Sequence, residues 1–394
     1  MTAIQVLLTI YTVLAILYWL RMAYAAMRMR RGIPWLADTS PPPEAWPPLS
    51  VIVPACNEAE TIEAAARTLM AQDYPDLEIL VVDDRSTDST GAIIDRLAAS
   101  DERVKAVHLT GLPEGWLGKV NAMNRGARQA RGDYLLLTDA DVHFEPGTLR
   151  RAVAWAEARG LDHLVALPSL WPSGLLVNAT IASFIRQFLA AVRPWAVGSP
   201  TSRAFMGVGA FNLVRRRAFE VAGGFEWLRM EVADDMGLGM MMKRSGARCG
   251  VVAAFGQVGL HWYRTLADAT RGAEKAFASA SGCRLWRIAV AAAIMLAMET
   301  APLAALVPLF FGPTRAIGCG GVAVLGLFIA STVLLTRWAG ARVLPGLLGP
   351  LVAIPNAWAF LRAGVLGWYR GGVVWRGTLY PAEVLRRGCR IRFP

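Results

Sequence analysis

The sequence predicts an α/β fold, with a mainly parallel sheet covered by helices on both faces and transmembrane helices at the N-terminal and C-terminal ends of the chain. Two observations lead there. Short apolar runs alternate with helical patterns through the middle of the chain, the order that builds a parallel sheet. Near both ends lie uncharged apolar stretches of roughly 20 residues, the length that crosses a hydrocarbon core about 30 Å thick. Composition agrees, since 55% of the residues are hydrophobic, above the usual share for a soluble domain.

Taken in order, residues 1–20 (MTAIQVLLTIYTVLAILYWL) carry no charge, and Arg21, Arg28, Arg30 and Arg31 follow them. Charges placed after the apolar run, with no small-residue cleavage pattern, mark residues 1–31 as an anchor and not a cleaved leader. The positive-inside rule then puts the N-terminus outside and the following residues in the cytoplasm. Residues 32–48 form a linker ending in SPPPEAWPP, a stiff spacer.

The expected cytoplasmic domain covers residues 49–287. Its first strand is LSVIV (49–53), followed by a helix over Glu58–Ala71, a second strand LEILVV (77–82) and a helix over Thr90–Ala99. VKAVHL, GKVNAMNRGARQA and YLLL continue the rhythm.

Residues 288–369 are a second membrane region. Ile288–Phe311 is interrupted only by Glu299, Ala316–Thr336 is uncharged, and Val343–Leu361 is uncharged but carries Pro345, Pro350 and Pro355. Arg337 and Arg342 belong inside, which makes residues 288–336 an out-and-back hairpin. A further crossing would export the basic tail of residues 370–394, with Arg370, Arg376, Arg386, Arg387, Arg390 and Arg392. The prolines therefore point to a re-entrant or interfacial segment, giving three full spans, one dipping segment and a cytoplasmic tail at an inner membrane.

The net charge of +11 follows from arginines flanking apolar segments, where they face anionic headgroups. No nucleic-acid motif accompanies it, so such a partner is not expected. The cysteines, Cys56, Cys249, Cys283, Cys319 and Cys389, are scattered and form no CxxC pair, which argues against a disulfide framework or a zinc site.

Ligands of parallel sheets bind at the carboxyl ends of the strands. PACNEAE follows the first strand, DDRSTDST the second and TDADVHFEP the YLLL run. Asp139 and Asp141 are two apart, so both carboxylates point to one side of an extended segment. Their oxygens suit hard Mg²⁺ or Mn²⁺. Lys119 opens a helix after a glycine-containing loop, a place suited to phosphate.

Together VIVPACNEAETI, AQDYPDLEILVVDDRSTDST, GDYLLLTDADVHFEPGTL and GGFEWLRMEVADDMGLGMMMKRSG resemble the family 2 glycosyltransferases, over about residues 49–260. LPEGWLGKVNAMNRGA, the later membrane segments and WRGTLYP resemble the membrane-bound subgroup that glycosylates lipids. That subgroup includes carotenoid-pathway and hopanoid-pathway members and, more distantly, ceramide glucosyltransferases.

The resemblance implies the GT-A fold, a Rossmann-like nucleotide-diphospho-sugar transferase. It implies an inverting, metal-dependent transfer from a nucleotide-sugar, of the UDP type, to a hydroxyl of a lipid in the bilayer. Asp139 and Asp141 would hold the metal, with His261 as a further ligand. One of Asp83 and Asp84 would meet the uracil or ribose, and Pro54, Ala55, Asn57 and Glu58 would shape the base pocket. Read alone, DDRSTDST is equally an Asp/Ser turn capping the next helix.

Asp235 falls at the position of the base, with Asp234 where a Glu is more usual. Gly207 and Gly209, in GVGAFNL, would border the sugars; a tight turn before a strand explains them as well. No QxxRW motif is present. HWYR, with His261, Tyr263 and Arg264, and the Trp375-Arg376 pair of WRGT are the remaining contacts implied for diphosphate or acceptor. Two other readings stay open: a processive polysaccharide synthase, which normally needs QxxRW and more spans, and an inactive membrane scaffold of the same fold.

Overall fold

The computed structural model describes residues 2–38, 40–280 and 284–391; Cys283 and Arg392 lie outside the described residues. The chain forms two compact units. One holds Ile33–Trp171, Pro194–Trp262 and the segment from Glu383; the other holds the segment up to Gly32, Pro172–Arg193 and Tyr263–Ala382. These boundaries differ from the sequence-based ones, because a helix within the expected 49–287 domain belongs to the second unit, as does the stretch that follows residue 262.

The first unit contains β1 (Leu49–Ala55), β2 (Leu77–Asp84), β3 (Val104–Leu109), β4 (Tyr134–Leu137), β5 (His143–Phe144), β6 (His163–Leu167), β7 (Ser169–Leu170), β8 (Asn212–Arg215), β9 (Cys249–Ala253) and β10 (Val258–Leu260). Its main sheet has the order β3-β2-β1-β4-β8-β6-β9. Pairing is parallel except at β8, which runs against both β4 and β6. Every residue of β1, β2 and β4 is buried, as expected of near-continuous apolar strands covered on both faces. Leu36, Ile62, Ile79, Tyr134 and Phe211 anchor the core beneath them.

The chain moves outward from β1 to β2 to β3, then returns to lay β4 on the other side of β1. That reversal opens a crevice at the carboxyl ends of β1 and β4. The helix expected from Glu58 begins later, at Ile62. Residues 57–61 are held instead in a loop, where the Glu58 N–H donates to Thr90 Oγ1 at 2.8 Å and the Glu58 carbonyl accepts from Thr61 and Ile62.

In the second unit, among the described residues, five helices are long and apolar enough to cross a membrane: Ala3–Gly32, Leu175–Val192, Leu285–Ala304, Arg315–Trp338 and Gly349–Tyr369. Leu175–Val192 was not anticipated as a membrane segment. It carries Arg186 near its centre, which disguises its apolar character. The expected break at the prolines narrows to one point, Leu348, between Val343–Leu347 and Gly349–Tyr369. Pro350 sits in a first turn, where its missing N–H costs nothing, and only Pro355 is interior. The hairpin of β11 (Gly372–Trp375) and β12 (Thr378–Pro381) completes this unit.

Glu299, the one charge within its apolar run, pairs inside the bundle. It forms a buried ion pair with Arg186 and accepts hydrogen bonds from Ser183 Oγ at 2.8 Å and Tyr18 OH at 3.3 Å. The Arg186 guanidinium also lies 5.0 Å from the Trp19 ring and 5.5 Å from Phe328. Removing one partner strands the other charge in a low-dielectric interior. Glu299→Ala is therefore expected to destabilise the protein by about 3–5 kcal/mol, and an Arg186→Met, Glu299→Leu double variant to recover most of that, read as thermal unfolding in detergent.

Candidate active site

Three loops meet at the crevice. In the first, Pro54 and Ala55 end β1, and Asn57 adopts a left-handed backbone at φ 57°. Asn57 Oδ1 accepts from the Thr87 N–H at 2.8 Å, and the Asn57 N–H donates to Ser86 Oγ at 3.0 Å. The loops after β1 and β2 are thus stitched together. Asp83 and Asp84 end β2: Asp83 Oδ1 caps the Ser86 N–H at 3.0 Å, while Asp84 is gripped by both arms of Arg85, at 2.8 and 3.1 Å. The turn reading of DDRSTDST is seen directly in the bond from the Ser86 N–H to Asp83 Oδ1.

The third loop follows β4. The Thr138 hydroxyl donates to the Ala210 carbonyl at 2.8 Å, and the Asp139 N–H donates to the Gly209 carbonyl at 3.0 Å. These bonds hold the Asp139 carboxylate over the crevice. Lys119 Nζ, from the first turn of the Gly118–Gln129 helix, donates to Asp139 Oδ1 at 2.7 Å and lies 3.2 Å from Asp234 Oδ2. Burial alone would lower the lysine pKa; the carboxylates of Asp139, Asp234 and Asp235 outweigh it and push the value up, so the ammonium stays charged.

Asp234 and Asp235 open the Asp234–Arg244 helix, where its dipole favours negative charge. Asp235 Oδ2 accepts from the Gly209 N–H at 3.0 Å and Oδ1 from the Met236 N–H at 2.7 Å. Burial, reinforced by Asp234, raises the Asp235 pKa to about 6 against the opposing pull of Lys119. A carboxyl at that value is a base near neutral pH and an acid below it.

Gly207 and Gly209 are glycines for reasons of space. Neither has a positive φ. A Cβ at Gly207 would lie 1.7 Å from the Asp235 carbonyl oxygen, and one at Gly209 would lie 2.4 Å from Asp139 Oδ2. A small cleft is lined by Lys119, Asp139, Gly209, Asn212, Asp234 and Asp235 among its polar groups and by Met123, Phe225 and Leu238 among its apolar ones.

The donors fit a divalent cation in one respect that the structure itself supplies. Burial, then the nearby charges of Asp139 and Glu58, push the Asp141 pKa up to about 7. The cluster holds more negative charge than Lys119 balances, and a hard cation on Asp139 and Asp141 would relieve it. Among the described residues no group of three or more His, Cys, Asp or Glu forms a ready-made cage. His261 is placed 5.4 Å from the Trp171 ring, in a cluster with His143.

Arg264, Trp375 and Arg376 belong to the other unit. There the Lys275 ammonium lies 4.4 Å from the Trp375 ring, and Arg376 turns the β11–β12 hairpin at φ 46°. Arg85 and Asn212 escaped the sequence reading. Asn212 donates to the Val208 carbonyl at 2.7 Å and meets His163 Nε2 at 3.1 Å, and an asparagine inside the apolar run FNLV was the available signal.

The crevice at the switch point, the acidic turn after β4 and the antiparallel β8 define a GT-A architecture. A mannosyltransferase from Pyrobaculum calidifontis, solved with GDP-Man and Mn²⁺, shares it, with a TM-score of 0.54, 22% identity, and coverage of 93% of this chain and 98% of that one. Residues 50–189 match the family described as Glycosyl transferase family 2.

Among curated relatives, a GalNAc(5)-diNAcBac-PP-undecaprenol beta-1,3-glucosyltransferase of Campylobacter jejuni is 36% identical over 26% of this chain and 32% of its own length. A beta-monoglucosyldiacylglycerol synthase of Synechocystis is 27% identical over 60% of this chain and 52% of its own. The chain thus spans between about a third and about half of these relatives.

Proposed function

We propose that this protein is an inverting glycosyltransferase that moves a sugar from a nucleotide-sugar, of the UDP type, to a hydroxyl of a membrane lipid. The observation that carries the reading is the convergence of Lys119, Asp139, Asp234 and Asp235 on one cleft at the switch point of the sheet. Of the two relatives described above, one is named for glucosyl transfer to an undecaprenol-linked glycan and the other for synthesis of a glucosyldiacylglycerol, which supports a lipid or lipid-linked acceptor. The UDP assignment rests on the DDRSTDST resemblance.

The reaction is a single displacement. The acceptor oxygen forms a bond to the anomeric carbon as the bond to the diphosphate breaks, and the hydroxyl proton passes to Asp235. Asp139 and Asp141 would hold a Mg²⁺ or Mn²⁺ ion, which supplies charge neutralisation for the departing diphosphate. Lys119 adds a fixed positive charge beside it. Asp234 keeps the Asp235 pKa near the working range, and the Gly209 and Met236 N–H groups hold the base in place.

The topology of the chain supports a catalytic unit and tail on one side of the membrane. β6 and β7 precede the Leu175–Val192 helix, and β8 follows it into the same sheet as β6. A helix that leaves and re-enters one folded sheet does not end on the far side of a bilayer, so this helix lies along the membrane or dips and returns.

The segment from Glu383 also belongs to the catalytic unit, so an even number of crossings separates it from residue 262. Of the three later candidates, Gly349–Tyr369 fits the non-crossing role. It has the lowest hydropathy, carries Arg362 and Pro355, and exposes a stripe of Leu351, Ile354, Trp358, Leu361, Val365 and Trp368 suited to lying in the interface. A reporter fused to the C-terminus is expected to be active in the cytoplasm only; activity confined to the outside would reverse the orientation.

The function is tested by supplying UDP-sugars and Mn²⁺ to membranes with and without the protein and weighing the lipid extracts. A hexose-sized or N-acetylhexosamine-sized mass increase is expected on a hydroxylated lipid. Metal-enhanced UDP binding with no lipid product would favour the scaffold reading.

A further inference from the structure

Glu231 lies in the turn between the Gly224–Leu228 helix and the helix that Asp234 opens. It is 1% exposed, and no ion pair involves it among the described residues. Its charge is met by main-chain donors from the far end of the sequence. Glu231 Oε2 accepts from the Arg390 N–H at 2.6 Å and the Ile391 N–H at 3.0 Å, while Oε1 accepts from the Ala233 N–H at 3.3 Å and the Cys389 thiol at 3.5 Å. Ala233 is the residue immediately before Asp234.

Packing reinforces the contact. A Cβ at Gly388 would lie 2.3 Å from Met230 Cβ, a Cβ at Gly237 would lie 2.6 Å from Glu231 Cγ, and the Arg390 guanidinium lies 5.2 Å from the Trp227 ring. Ile391 is itself buried. The tail is therefore seated against the Met230–Glu231 turn, and Glu231 in turn packs against Gly237 in the first turn of the helix that carries the acidic pair.

We propose that Glu231 and the main chain of Cys389–Ile391 form a clamp that positions Asp234 and Asp235, so that the C-terminal segment is a working part of the active site. Without the tail a buried carboxylate loses two of its N–H donors, and it must rotate toward water or take up a proton. Either movement releases the Ala233 N–H and the turn before the base. A displacement of about 1 Å at a reacting group costs on the order of 100-fold in rate.

This inference rests on Asp235 as the base. Three variants and their combination test it by kcat and donor KM: a chain ending at Gly388, Glu231→Ala, and Arg390→Pro, which deletes one N–H donor and serves where the shortened chain does not fold. Each is expected to lose roughly 10- to 100-fold in kcat with donor KM within about threefold of wild type. Shortening the Glu231→Ala chain is expected to cost nothing further, because both changes break one interaction.

Wild-type kcat in the shortened chain or in Arg390→Pro overturns the clamp, as do losses that multiply when combined. Asp235→Asn measured in parallel keeps the two readings apart. An inactive Asp235→Asn beside a fully active shortened chain removes the clamp alone, whereas an active Asp235→Asn removes the base assignment and the positioning role with it.

Discussion

Asp235→Asn is expected to lower kcat by about 10²- to 10⁴-fold while leaving donor KM nearly unchanged. The substitution keeps size and retains one oxygen for the Gly209 or Met236 N–H, so the fold around it should survive. What it removes is the carboxylate basicity needed to take the acceptor proton.

The pH profile provides a second readout. Burial and the neighbouring Asp234 raise the Asp235 carboxyl to about 6, so its basic form is expected to be lost progressively as pH falls through that region. Wild-type turnover should rise about tenfold per pH unit below 6 and flatten above, and the residual rate of Asp235→Asn should lack that limb. A variant with near-normal turnover, or a wild-type rate that falls as pH rises through 6, would exclude Asp235 as the base.

The second large effect concerns the paired aspartates. Asp139→Asn is expected to cost on the order of 10²- to 10³-fold in kcat and to abolish stimulation by Mn²⁺, because it removes one proposed ligand and the nearer of the two carboxylate partners of Lys119 together. Asp141→Asn should show the same loss of metal dependence with the Lys119 pair intact. The two variants thus separate metal binding from the ion pair. If the Asp139→Ala, Asp141→Ala double variant still makes glycolipid with full metal response, the cation lies elsewhere.

Much of the catalytic unit could be read from local pattern, because its polar residues directly follow apolar strands. LSVIVPA, LEILVVDD and YLLLTDAD each announce a strand and the edge at which it ends, and topology then brings those edges together. Gly207 and Gly209 were legible as pocket or turn glycines; that Gly207 makes room for the Asp235 backbone depends on a helix that begins at residue 234, and that Gly209 makes room for the Asp139 carboxylate depends on the loop after β4.

The rest was hidden by distance in sequence. Nothing around Glu231 hints at N–H donors some 160 residues later, since main-chain donors leave no trace in residue identity. Leu175–Val192 was misplaced for a related reason. Arg186 reads as a surface charge until Glu299, 113 residues further on, is known to face it. His261 shows the converse, as its neighbours Trp171 and His143 come from two other segments.

Gly209 gives its N–H to Asp235 and receives the Asp139 N–H on its own carbonyl. If Asp139 and Asp235 act as proposed, a single residue of backbone links the two ends of the reaction, through its N–H to the Asp235 carboxylate and its carbonyl to the Asp139 main chain. Under the proposed reaction, surrounding loops could diversify to admit other sugars or other acceptors while that backbone link keeps the reach of the transfer constant.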